Sequence, residues 1–208
     1  MNLDQQVYEL LREMIFRYEL IPGQKLLYQD LADRLEVSRT PVKNALNFLE
    51  KDGLVKLLPN KGFYVAELSI EEAEELFSLR LILETEAVKL AARKCTDSDY
   101  AELLEIQKRY ENAIEQELNR GRFLIDRDFH LQIAMMSGNK ALYKHLKQVI
   151  EIVFLKHRIE GLSKKRGHEV RKEHRSILEH IKNKDETGAV QSLTYHIQRH
   201  RENVESIL

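Results

Sequence analysis

The chain has 208 residues, of which 43% are hydrophobic and 32% are charged, and its formal net charge is −1. This composition is typical of soluble globular proteins. No segment reaches the about 18 consecutive apolar residues of a membrane-spanning helix, and the N-terminus lacks the basic region and apolar core of a secretory signal. We therefore expect a cytoplasmic protein without membrane contact, folded as one large domain or two small ones.

A single cysteine, Cys95, excludes an internal disulfide and any cluster of thiolate metal ligands. The near-neutral net charge gives no global sign of nucleic-acid binding. Any prediction of DNA binding must therefore come from local patterns.

The first third of the chain predicts three short helices and a β-wing. Apolar residues recur at helical spacing over residues 4–18, over 27–35, and from the N-cap Ser38 to about residue 52. A short turn joins the second and third helices, which is the arrangement of a helix-turn-helix. Two β-rich runs then flank a turn at residues 59–62. Residues 1–67 are thus expected to form a winged helix-turn-helix domain.

Beyond residue 68 the segments are long and amphipathic, and Gly and Pro become rare. Ser69, followed by Glu72, has the pattern of a capping box, and Thr96 is suited to cap the next helix. Further helices are expected at about 121–136, 140–160, 166–183 and 186–206. The fold class is therefore mostly α, with an all-α bundle of about six helices in residues 68–208.

Candidate DNA contacts lie at the start of the third helix, because the N-terminal residues of the second helix of a helix-turn-helix enter the major groove. Between Ser38 and Lys61 there are five cations and two acidic residues, a modest positive patch. The candidates are Ser38, Arg39, Thr40 and Lys43 on the helix, with Lys61 and Gly62 at the wing tip. Spacing by itself also fits a capped helix with solvent-facing cations.

A second set of candidates indicates a metal site. Asp126 and His130 are spaced by one helical turn, and His174 and His196 fall on the last two predicted helices. One carboxylate and three imidazoles suit a divalent ion, zinc or nickel first and manganese or iron next, with positions left for water or a ligand carboxylate. Because the chain has eight histidines, a chance pattern is the alternative.

Two groups of sequence motifs resemble known protein domains. Residues 37–46, followed by Leu49-Glu50 and Gly53-Leu54-Val55, resemble the winged-helix signature of the GntR family of bacterial regulators, although Lys43 stands where members usually carry arginine. Residues 126–130, 137–139, 173–178 and 184–196 resemble the FCD effector domain of the FadR-type branch. This resemblance implies a transcriptional regulator with Asp126, His130, His174 and His196 as metal ligands.

The resemblance also suggests how such a regulator works. A homodimer is expected to bind a palindrome-like DNA operator, and a small carboxylic acid bound at the metal is expected to alter the arrangement of the two subunits. Arg80 is a candidate for binding the carboxylate of this effector, although its spacing fits an internal pair with Glu84 equally well. Arg158 is a second candidate.

Two alternatives remain open from the residues. The metal itself can be the signal, or a site with open coordination positions can serve a metal-dependent hydrolase or lyase. No catalytic motif such as HExxH is present to support the enzyme.

Overall fold

The computed structural model describes residues 2–116, 119–156 and 163–205, and for Asn119 and Glu205 it describes the backbone alone. The chain divides into two compact units. The first contains residues 2–68 and the end of a later helix from Phe154. The second contains Ser69–Val153 and the residues from 163 onward.

The first unit has three helices and a small sheet. The elements in chain order are α1 (Leu3–Phe16), β1 (Lys25–Leu26), α2 (Tyr28–Leu35), α3 (Arg39–Lys51), β2 (Val55–Leu58) and β3 (Gly62–Val65). The three helices and the two-stranded wing were predicted. Strand β1 was not, because two residues are too few for an alternating pattern to be recognised.

The sheet is antiparallel with the strand order β1-β3-β2. Lys25 pairs with Tyr64 in one ladder, and Val55 pairs with Val65 in the other. The wing turns through Pro59 and Asn60. Asn60 has a left-handed φ of 60°. The N–H of Lys61 donates to the carbonyl of Leu58 at 3.0 Å and closes the turn. Pro at the second turn position and Asn at the third are typical of a type II turn.

The helix-turn-helix depends on one left-handed residue. Glu36, with a φ of 54°, ends α2, and Val37 N–H donates back to the carbonyl of Ala32 at 3.0 Å. The chain then re-enters a helix at Arg39 after the extended residue Ser38. The apolar face of α3 lies in the core of this unit through Val42, Ala45, Leu46 and Leu49, which are all fully buried.

The described part of the second unit is helical throughout. Its helices are α4 (Ile70–Lys94), α5 (Asp97–Glu115), α6 (Asn119–Met136), α7 (Lys140–Lys156), α8 (Lys164–Lys182) and α9 (Glu186–Glu205), and only the end of α7 from Phe154 belongs to the first unit. The mostly helical fold class expected from the sequence is therefore confirmed.

Local side chains fix where the first two of these helices begin. Ser69 Oγ accepts from Glu72 N–H at 3.2 Å at the start of α4, and Thr96 with Asp99 forms a reciprocal capping box on α5. Helix α4 packs on α6 and α9, while α5 packs on α6 and α8. This arrangement turns one face each of α6, α8 and α9 toward the interior. No helix in the described ranges has both the length and the apolar character of a membrane span.

Candidate metal centre and DNA-reading helix

Four side chains from three helices converge inside the second unit. Asp126 and His130 lie one turn apart on α6, His174 lies on α8, and His196 lies on α9. All four are buried, and each offers one possible ligand atom within 4.8 Å of the others. The fold therefore brings together the whole set that the sequence analysis named.

The imidazole Nε2 atoms face one another and the carboxylate. His130 Nε2 lies 3.1 Å from His196 Nε2 and 3.8 Å from Asp126 Oδ2. His174 Nε2 lies 3.2 Å from Asp126 Oδ1, but without the direction of a hydrogen bond. The centre of the group is thus surrounded by three ring nitrogens and one carboxylate.

The opposite ring nitrogen of two of these histidines contacts a carboxylate. Glu84 Oε2 on α4 contacts His130 Nδ1, and Glu173 Oε2 on α8 lies 2.7 Å from His196 Nδ1. An ionised carboxylate can only accept a hydrogen bond, so the bond to Glu173 assigns the ring proton of His196 to Nδ1. The close contact of Glu84 lacks the direction of a hydrogen bond but favours the same tautomer in His130. Their Nε2 atoms are then left as acceptors.

The third histidine is oriented by an amide. Gln107 Oε1 on α5 lies 3.1 Å from His174 Nδ1, while Gln107 Nε2 donates to Glu111 Oε1 at 3.0 Å. The second bond fixes which end of the amide faces the ring, so His174 Nδ1 is also a donor. All three imidazoles are thus held from behind, as histidine ligands of metals usually are.

This protonation pattern leaves four acceptor groups facing one another in a buried space. Burial lowers the pKa of His174 to about 4 and also lowers the pKa of His196, so both rings are neutral near pH 7. Neutral imidazoles and an ionised carboxylate are the forms that bind divalent metals, so the donor set fits such an ion.

The two carboxylates behind the rings are themselves paired with arginines. Burial opposes ionisation of Glu84, but Arg80 and His130 outweigh it and lower its pKa to about 2. Glu173 behaves similarly, because hydrogen bonds from His196 and Arg166 outweigh burial and lower its pKa to about 2. Both carboxylates are therefore ionised at neutral pH and remain acceptors.

The start of α3 presents polar side chains to solvent. Ser38, Arg39, Thr40 and Lys43 are all exposed. Within the described part of the chain the Ser38 side chain makes no capping hydrogen bond, and the first turn of α3 has no acidic residue. Such a helix start attracts phosphate groups. Arg39 Nε donates to Gln29 Oε1 on α2 at 2.5 Å, which orients its guanidinium.

The wing carries the other two candidates. Lys61 is exposed at its tip, and Gly62 begins β3 with a φ of 93°. A positive φ of this size strongly favours glycine.

Comparison with known proteins identifies both units. Residues 3–65 match the bacterial regulatory proteins of the gntR family, and residues 75–199 match the FCD domain. The chain belongs to the GntR family. It is a DNA-binding transcriptional regulator, and the hydrolase or lyase considered from the sequence is wrong, because the matched domains and relatives are regulators rather than enzymes.

Relatives of this GntR regulator extend over most of its length. The Nta operon transcriptional regulator of Aminobacter aminovorans is 30% identical over 196 residues, covering 94% of this chain and 91% of that protein. LutR of Bacillus subtilis, an HTH-type transcriptional regulator, is 32% identical over 158 residues, covering 68% of this chain and 71% of LutR. Among solved structures, Escherichia coli McbR/YncC matches with a TM-score of 0.85 at 26% identity, covering 100% of this chain and 99% of that one.

Of the two arginines suggested as effector contacts, only Arg80 lies among the described residues. Arg80 is fully buried, donates to Glu84 Oε1 at 2.7 Å and stacks over the ring of Phe77, so the internal pair that the spacing also allowed is present. A role for Arg80 toward an effector stays a prediction. Arg158 lies outside the described residues.

Sequence reasoning missed the residues that orient the histidines, namely Glu84, Gln107 and Glu173. A signal for two of them exists, because Gln107 interrupts the buried face of α5, and Glu84 with Arg80 interrupts that of α4. A polar residue on such a face usually has a specific partner.

Proposed function

We propose that this GntR regulator binds a divalent metal through Asp126, His130, His174 and His196, and that a small carboxylic acid bound at this site changes its affinity for DNA. The observation that carries the proposal is the group of four buried acceptors held face to face. Without a cation, the lone pairs of His130 and His196 oppose each other at 3.1 Å. Polar atoms buried in that way are costly unless they are satisfied.

Zinc and nickel suit the nitrogen-rich donor set best, and manganese or iron are further options. When bound, such an ion supplies Lewis-acidic coordination positions that a carboxylate oxygen can occupy. The residues of the chain orient the ligands through Glu84, Gln107 and Glu173. The proposed effector domain is residues 68–208.

For DNA, we propose that residues 1–67 read the operator through α3 and the wing. Arg39 suits contact with a guanine edge, whereas Lys43 suits a phosphate because it lacks the bidentate fork of arginine. Ser38 and Thr40 can donate to phosphate oxygens, and Lys61 and Gly62 at the wing tip can approach the backbone. Two copies of the chain then bind a palindrome-like site in the bacterial cytoplasm.

Effector and DNA binding are expected to be coupled. If the carboxylic acid binds the DNA-bound and free forms with different affinity, it must change operator affinity by the same factor. The proposal therefore predicts a measurable shift in DNA binding, in either direction, when metal and acid are both present.

The test is a titration with the full chain. An operator is first selected from random double-stranded DNA, and its affinity is then measured for the metal-free protein, with zinc alone, and with zinc plus a panel of small carboxylic acids. A shift that needs both zinc and an acid supports the proposal. Operator affinity indifferent to every acid contradicts the effector role.

Metal sensing is the second candidate, favoured because the four ligand side chains are already assembled and buried. In that case zinc alone produces the full response in the same titration.

A further inference from the structure

A cavity adjoins the proposed metal site between α5, α6, α8 and α9. Asp126 and His196 form part of its wall, and Arg122 and Arg166 form another part. Its free volume is about 40 Å³ for the centres of water-sized molecules. That space exceeds the roughly 10–15 Å³ needed by one water, so the cavity is larger than the site of a single water.

Arg122 is built into this cavity. The residue is 4% exposed, and a charged side chain is rarely buried to that extent unless it is paired. Its guanidinium lies against the backbone of α8 at Gly167, where an added Cβ would come within 2.6 Å of Arg122 Nη1. Glycine weakens the interior of a helix, so its presence here is explained by the space that the guanidinium occupies.

Arg166 connects the cavity to a metal-ligand residue. Its Nη1 donates to Glu173 Oε1 at 2.6 Å and its Nη2 to Glu173 Oε2 at 3.0 Å. Glu173 Oε2 also accepts from His196 Nδ1 at 2.7 Å. This carboxylate therefore holds the guanidinium at the cavity wall and orients the ring of His196.

Once a divalent metal is bound, the charges around the cavity favour an anionic ligand. Arg122 and Arg166 stand beside the carboxylates of Asp126 and Glu173, so the surroundings of the cavity hold two cations and two carboxylates. A divalent metal at the site adds two positive charges to a buried region. Buried charge is stable when opposite charges compensate it, and a ligand with two negative charges does so.

We propose that this cavity selects compact dicarboxylates, with one carboxylate at the metal-ligand set and the other held by Arg122, next to the positive charge of Arg166. Arginine binds carboxylates strongly because its planar fork matches their two oxygens. The apolar walls formed by Tyr110, Phe123 and Val170 suit a short hydrocarbon segment between the two groups. This inference rests on the proposed function, since it places one end of the ligand at the metal.

The test compares acids that differ by one carboxylate. Zinc content of the purified full-length protein is measured first by elemental analysis. Calorimetric titrations of the zinc-loaded protein with succinate and butyrate, and with malonate and propionate, then give the affinities. We expect at least one diacid to bind ten-fold or more tightly than its matched monoacid.

Three variants identify the residues responsible. Arg122→Gln is expected to reduce the ratio of diacid to monoacid affinity at least ten-fold, and its zinc content shows whether the metal site is intact. Gly167→Ala keeps both arginines but displaces the guanidinium of Arg122, so it should reduce the same preference. Arg93→Gln is the control, because Arg93 pairs with Glu186 at the exposed surface and does not line the cavity.

The outcomes separate this inference from the proposed function. If the wild-type protein binds none of zinc, nickel, manganese and iron, the proposed function fails and this inference fails with it. If zinc binds but no diacid is preferred, the dicarboxylate inference alone is overturned. Diacid preference that survives in both Arg122→Gln and Gly167→Ala also overturns it.

Discussion

Glu84 on α4 contacts the Nδ1 atom of His130 on α6 through its carboxylate Oε2, on the side of the imidazole away from the other candidate ligands. The carboxylate also accepts from buried Arg80 at 2.7 Å. One side chain thus keeps the His130 proton on Nδ1 and neutralises a buried arginine. Two effects should follow from changing it.

Glu84→Gln should weaken metal binding about 10-fold or more, because residues that orient metal ligands typically contribute that much. It should also lower the free energy of unfolding by about 3 kcal/mol, since it removes the carboxylate that forms an ion pair with buried Arg80. Competition with a chromophoric chelator and urea denaturation measure the two effects. Glu86→Gln, on the exposed face of the same helix, is the control and should change neither. Wild-type metal affinity in Glu84→Gln would count against the orienting role.

His174→Ala should remove most of the bound metal, since it deletes one of four ligands and the stacking partner of Phe129. Elemental analysis of the purified protein measures the content. In the wild type, zinc at 100 times its dissociation constant should stabilise the fold by about 2.7 kcal/mol, and this gain should vanish in the variant. His180→Ala is the control, because His180 lies on the same helix and pairs with Asp185 at the surface. Equal metal content in the two variants would assign the metal elsewhere.

Arg39→Ala should cost roughly 1–3 kcal/mol of binding to the operator, with a much smaller loss on random DNA. Gln29→Ala should produce a smaller loss of the same kind, because Gln29 accepts from Arg39 Nε and orients the guanidinium. Fluorescence anisotropy with operator and scrambled duplexes compares these losses. Equal losses on both duplexes for Arg39→Ala would argue against base recognition.

Lys43→Ala should weaken binding to every DNA sequence similarly and reduce the slope of log affinity against log salt by about 1, as expected for one lost phosphate contact. The measurement is a salt titration with operator and random duplexes. Lys51→Ala is the control at the opposite end of α3, and its slope should equal that of the wild type. A loss of affinity for the operator alone would instead indicate that Lys43 contacts a base.

Gly62→Ala should destabilise the first unit by about 1 kcal/mol, because a φ of 93° is strained for alanine. An added Cβ meets no described heavy atom within 4 Å, so backbone strain is the expected cause rather than a clash. Urea denaturation gives the difference. Lys61→Ala, the exposed neighbour, should stay within about 0.5 kcal/mol of the wild type. Unchanged stability in Gly62→Ala would show that the wing relaxes without cost.

The sequence by itself determined the helices, the wing and the spacing of Asp126 and His130, because hydrophobic periodicity and i,i+4 geometry act over a few residues. It also named His174 and His196, but their place beside α6 was inferred from a family resemblance. Strand β1 could not be predicted from the sequence. Its two residues are too few to show a pattern of their own, and they form a strand only by pairing with β3.

Tertiary structure decided which residues act on those ligands. Glu84, Gln107 and Glu173 reach the three imidazoles from α4, α5 and α8, and Arg122 lies at the cavity because Gly167 on another helix leaves room for it. Such contacts join residues far apart in the chain, and they depend on how the helices pack and which rotamers fit. No local pattern in the sequence encodes these distances, so the outer partners of the site and the charge around its cavity emerge only in the folded chain.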